Sequence, residues 1–148
     1  MTTSPPTDSF GLDWTDRFAI TARILTGLRE SGGASVNPNG APPAGGYMVA
    51  FSGHERVIRV WELSGWGVDA NRVVREVTRY VADHWATVAA DPALYFGAWL
   101  DDGRLYLDVS ERVADESAAL SKAAERNELA IYDVANGASV YVSREVGD

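Results

Sequence analysis

From residue 13 onward the chain turns helical in pattern. Trp14, Phe18, Thr21, Leu25 and Leu28 recur at steps of three and four, and Ile20 and Ile24 widen the stripe. That period predicts an amphipathic helix, with Asp13 as its N-cap and Gly32-Gly33 as its end. Residues 1–12 are polar and carry Pro5-Pro6, so they read as a loose arm. The remainder, 13–148, reads as a single domain. The segment SGGASVNPNGAPPAGG, residues 31–46, holds five of the fourteen glycines and three of the six prolines. It predicts a loop, long enough to be either functional or mobile.

YMVAF (47–51) reads as a strand, Ser52-Gly53-His54 as a turn, and Val57 to Leu63 as extended chain before a second turn at Ser64-Gly65-Trp66-Gly67. The next helix carries the clearest start signal. Asp69 caps it, and Val68 and Val73 stand at the two positions of a hydrophobic staple. Val73, Val77, Tyr80, Val81, His84, Trp85 and Val88 form its apolar stripe, and Asp91-Pro92 stops it.

The stretch YFGAWLDDGRLYLDVS (95–110) predicts a hairpin. Asp102-Gly103 suits the two central positions of a type I′ turn, which needs positive φ at both. That turn pairs Leu100 with Leu105, Ala98 with Leu107 and Phe96 with Val109, making one apolar face. The opposite face sets Asp101 against Arg104, Trp99 against Tyr106 and Gly97 against Asp108. A slip of one residue destroys this separation, so the register is well specified. Glu116 to Arg126 then reads as a helix capped by Asp115, with Ala119, Leu120 and Ala123 facing in. LAIYDV (129–134) and Ala138 to Val142 form a last hairpin. A three-residue loop, Ala135-Asn136-Gly137, gives it a face of Ala130, Tyr132, Val134, Ala138, Val140 and Val142. A two-residue loop would instead place Asp133 among apolar residues. The order is helix, strand, strand, helix, hairpin, helix, hairpin. It predicts an α+β layer fold, a mostly antiparallel sheet of hairpins packed by two or three helices.

Composition adds exclusions. The chain of 148 residues has 46% hydrophobic and 23% charged residues, ordinary for one globular domain. Having no cysteine, it has no disulfide, thiolate metal site or cysteine nucleophile. No apolar run reaches the roughly 20 residues of a membrane span, and the first residues lack a secretory pattern, so the expected location is the cytoplasm. The net charge of −8 disfavours general nucleic-acid binding. Twelve arginines against the single Lys122 hint at a GC-rich genome. No motif implies a cofactor, and two histidines on different elements make no metal set.

The candidate chemistry is sparse, and each residue has a structural alternative. His54, in SGHER beside Ser52 and Glu55, lacks any nucleophile-elbow pattern; His84, on an apolar stripe, reads as a core histidine with one hydrogen bond. Asp102 is spent on its turn, and Asp101 on a cross-strand pair with Arg104. Asp108 alone has no structural task; with Asp133 and Ser110-Glu111 it forms either a carboxylate cluster for an oxygen-ligated cation or part of a solvated sheet face. Arg72, Arg75 and Arg79 form either an anion stripe or a solvated face paired with Glu76 and Asp83 at the four-residue spacing. Trp66, between two glycines, either anchors a partner or packs beside the staple or under the first helix. Trp99 and Tyr106 either present aromatic surface or lie under a helix.

AWLDDGRLYLDVS, ERNELAIYDVANG and the upstream GGYMVAF together resemble a group of short uncharacterised proteins of actinobacteria and their phages, loosely over residues 45–137. The resemblance implies a phage, prophage or accessory context and carries no activity to any residue. The expectation is a non-enzymatic accessory protein that binds another protein or host factor, with homo-oligomerisation open. The alternatives are a small hydrolase using Asp108 or His54, and an anti-defence protein that sequesters a nucleotide or blocks a nuclease through its arginines.

Overall fold

A computed structural model describes residues 14–61 and 67–143, with backbone alone for residues 14 and 15. The expected arm at 1–12, the Asp13 cap, the inward side chain of Trp14 and Trp66 all lie outside the described residues. The described elements run α1 (Trp14–Ser31), β1 (Gly33–Val36), β2 (Tyr47–Ala50), β3 (Arg56–Arg59), α2 (Ala70–Ala89), β4 (Leu94–Asp101), β5 (Arg104–Val113), α3 (Glu116–Glu125), β6 (Ala130–Asp133) and β7 (Ala138–Tyr141). The expected α+β class is what forms. One antiparallel sheet has the order β1-β4-β5-β2-β6-β7, with β3 also pairing β5.

The long β5 organises this sheet. Arg104–Glu111 pair with β4, while on its other side Arg104–Leu107 pair with β3 and Ser110–Val113 with β2. Between β2 and β3 the chain leaves the sheet in a short excursion, residues 51–55, opposite Asp108. The β4–β5 register is the one expected: Leu100 faces Leu105, Gly97 faces Asp108, and φ is 48° at Asp102 and 73° at Gly103. Asp101 and Arg104 stand opposite each other, yet no ion pair forms between them.

Because side chains alternate along a strand, Leu105, Leu107, Val109, Glu111 and Val113 share one face. Ile20, Ile24 and Leu28 of α1 and Val73, Val77, Tyr80, Val81 and Val88 of α2 pack there with Phe96 and Ala98. Ala119 and Ala123 of α3 pack on the same face with Val49 and Ile131, and their small side chains bring α3 close to the sheet. Asp69 and Asp115 accept the Arg72 and Ala118 amides at 3.1 and 2.8 Å, as N-caps should. Among the described residues all three helices therefore cover one face, and the other carries none.

Four expectations need correction. The first strand falls inside the expected loop: Gly33–Val36 pairs with Phe96–Trp99 of β4, although Gly, Ala and Ser are poor strand formers. Phe18 is 61% exposed, and α1 is turned so that Ile20, Ile24 and Leu28 face in. The cause is Gly27, where a Cβ would come within 2.7 Å of the Ala34 Cβ and 2.9 Å of the Gly33 carbonyl oxygen; helix and strand touch there, which sets the rotation. Val68 stays 39% exposed and bridges Trp61, rather than closing the staple. The last hairpin pairs Asp133 with Ala138 and Ile131 with Val140 around a four-residue loop. Asp133 does sit on the packed face, because the loop satisfies it: the Asn136 amide and side-chain NH2 donate to its carboxylate at 3.3 and 2.6 Å.

Candidate functional site

The uncovered face holds a cavity of about 510 Å³ whose lining includes Gly97, Asp108 and Ser110 at its base and Met48, Trp99 and Tyr132 around it. Pro42 and Pro43 wall one side. The Gly/Pro-rich segment reaches this face because β1 and β2 flank the β4–β5 pair, so their connection must cross the sheet's end. It is held there by the Arg112 guanidinium, which donates to the Gly45 carbonyl at 2.8 Å, and by the Val134 amide donating to Gly46 at 3.1 Å.

Gly97 explains the base. Glycine inside a strand often marks a close approach, and a Cβ here would overlap the Asp108 carboxyl. Asp108 leans over this gap, and the Ser110 hydroxyl donates to its Oδ1 at 2.8 Å. Part of Asp108 remains accessible through the cavity, yet protein surrounds its carboxyl closely. Burial pushes the carboxyl above the usual aspartate range; the Ser110 bond opposes this and the charge of Glu55 adds to it. No other hydrogen bond reaches the carboxyl among the described residues. Trp99 is 49% exposed, tilts on Tyr106 at 5.7 Å, and also borders the neighbouring cavity formed by Ser52, Glu55, Arg126 and Glu128.

Sequence reasoning missed that neighbouring carboxyl pair. Glu55 leaves the 51–55 excursion and Glu128 follows α3, 73 positions on in the chain, so nothing local announces them. Burial, then the charge and hydrogen bond of Glu55, then Asp108, raise Glu128 to about 7, against the opposing Arg126. Folded Glu128 thus keeps a proton that the unfolded chain releases near its ordinary value of 4.5, and stability falls as pH rises from there to about 7. Glu128→Gln removes this slope: in thermal unfolding the variant should gain on wild type across that window. An unchanged difference would show that the pair shares no proton.

The remaining candidates are dispersed. Asp133 and Glu111 lie on the helix-covered face, away from Asp108 and Ser110, so of the two alternatives the carboxylate cluster does not form. No group of three His, Asp or Glu side chains suited to a metal ion occurs among the described residues. His54 also turns toward the helices, its ring 5.5 Å from His84 and 6.3 Å from Phe51, and makes no hydrogen bond with Ser52 or Glu55. His84 is half-buried and held by ring contact, 4.2 Å from Tyr80, rather than by the hydrogen bond expected of it. Burial, then His54 and Arg56, lower its pKa. Arg72, Arg75 and Arg79 are exposed on α2 and line none of the main cavities. Asp83 pairs with Arg56 at 3.3 Å, so the four-residue pairing with Arg79 is not made. The Tyr80 hydroxyl donates to the His54 carbonyl at 2.6 Å and pins the excursion that carries Glu55. Tyr80→Phe should cost about 1–2 kcal/mol, because that carbonyl loses its partner; chemical denaturation measures it.

No helix among the described residues is long and apolar enough to cross a membrane. No family model, no curated protein and no solved structure matches the chain.

Proposed function

We propose that this is a non-enzymatic accessory protein that binds a segment of another protein across the uncovered face of its sheet. One observation carries the reading. Among the described residues three helices protect one face, while the other displays Trp99, Tyr132 and Tyr141 at 49%, 43% and 75% exposure, the first two of them lining a concave cavity. Clustered exposed aromatics beside a pocket are the usual anchors of an interface. Trp66 lies outside the described residues, so the reading rests on Trp99 and its neighbours. Asp108, with its raised carboxyl inside a cavity, favours a second reading, a small hydrolase with Asp108 as its acid. His54, on the other side of the sheet, would take no part. The exposed arginines of α2 lend no geometry to a nucleotide trap.

The test is to pan a displayed random-peptide library on the immobilised protein. Enriched peptides should bind Trp99→Ala or Tyr132→Ala roughly tenfold more weakly than wild type, as loss of an aromatic anchor costs about 1.4 kcal/mol or more. Both residues are exposed, so the variants should unfold at the wild-type temperature. An empty selection, or peptides indifferent to both substitutions, would overturn the reading.

A further inference from the structure

We propose that the Asp108 cavity takes the guanidinium of an arginine side chain carried by the docked protein segment, an inference that rests on the uncovered face being the docking surface. Asp108 Oδ2 accepts no hydrogen bond among the described residues, and Oδ1 accepts only that of Ser110. A deeply placed carboxyl with open acceptor positions is costly unless a donor arrives. A guanidinium supplies two parallel donors in a planar fork that matches a carboxylate.

The walls suit the rest of that side chain. Trp99 and Tyr132 both line the cavity and offer aromatic faces on which a planar cation stacks. Met48, Pro42 and Pro43 offer apolar contact to its methylene stem. A cavity of about 510 Å³ holds a whole arginine side chain and part of the backbone that presents it. Charge points the same way. Glu55 and Glu128, which share a proton toward neutral pH, line the cavity on the far side of Trp99 beside Arg126, and the whole chain carries −8, so it is mainly the overall negative charge that favours a basic segment at the mouth. An apolar side chain would leave Asp108 unpaired, and an acidic one would be repelled. Lysine would meet the carboxylate as a point charge, without the fork or the stacking plane.

The experiment uses the full chain and the enriched peptides of the library selection. Each is resynthesised with arginine, lysine or the neutral isostere citrulline at one position, and titrated calorimetrically into wild type and Asp108→Asn. Selected peptides should share an arginine. Its replacement by citrulline should weaken binding to wild type roughly tenfold or more, and to Asp108→Asn by much less, since coupled groups are non-additive. The wild-type comparison needs no variant, so it stands even if Asp108→Asn fails to fold. Peptides without arginine that still depend on Trp99, or a citrulline penalty equal in both proteins, would overturn the arginine assignment and leave the docking face intact. Loss of the Trp99 dependence itself would overturn both. Agmatine binding as tightly as the peptide would identify a free alkylguanidinium as the occupant, against a protein segment.

Discussion

Gly103→Ala should destabilise the protein by about 2–4 kcal/mol, more than its backbone conformation alone would cost. Gly103 has φ of 73°, where a Cβ is strained by about 1 kcal/mol. The fold adds a second cost, because the Trp61 indole occupies the space into which that Cβ would project. Trp61 lies over the β4–β5 turn beside the point where the Gly103 carbonyl accepts the Val60 amide at 2.9 Å. Displacing it disturbs the end of the β3 segment, and overpacking of this kind costs about 1–3 kcal/mol. Chemical denaturation of Gly103→Ala beside Trp61→Ala and the double variant separates the two parts. In the Trp61→Ala background the glycine substitution should cost only the backbone share, about 1 kcal/mol. An equal cost in both backgrounds would show that Trp61 contributes nothing to it.

Glu111→Ala should cost about 2 kcal/mol. This carboxylate joins α3 to β5, accepting from Lys122 at 2.8 Å and from Arg126 at 2.6 Å. The Arg126 side chain is only 18% exposed; its guanidinium also donates to the Val49 carbonyl at 3.4 Å and lies 3.8 Å from the centre of the Phe51 ring. Removing one partner of a buried pair costs about 3–5 kcal/mol. Water around the more open Lys122 screens part of that, which brings the figure down. The pH dependence has a definite sign. Burial alone would raise the Glu111 carboxyl, but the hydrogen bonds and charges of Lys122 and Arg126 outweigh it and hold its pKa below the ordinary 4.5. The contribution is thus complete above that value and lost as pH falls through the lower folded value. Thermal unfolding of wild type and Glu111→Ala should converge in acid and separate toward neutrality. That is the reverse of the comparison with Glu128→Gln. A gap that persisted in acid would mean that Glu111 acts by packing and not by charge.

The sequence by itself determined what depends on neighbours along the chain. The β4–β5 hairpin is legible to the residue, since Asp102-Gly103 dictates the turn and one register alone separates its two faces. The caps at Asp69 and Asp115 are equally local, each side chain accepting an amide three residues ahead. From the hairpin it also follows that Trp99, Tyr106 and Asp108 share a face. Tertiary structure decided the rest, wherever a residue's role is set by a partner far along the chain. Gly33–Val36 is a strand only because β4 lies beside it. The facing of α1 was set by the Gly27–Ala34 contact, a matter of space that counting apolar positions does not register. The β6–β7 register broke the alternation rule because Asn136 could satisfy a packed Asp133. The site divides in the same way. Gly97 opposite Asp108 was visible as a pairing, while its meaning, a missing side chain that opens the base of a cavity, required the carboxyl to lean across it. That cavity's walls come from Pro42, Pro43, Met48 and Tyr132, and its acidic flank from Glu55 and Glu128. These residues are scattered over most of the described chain, and only the closure of one sheet brings them together, at contacts that local pattern does not encode.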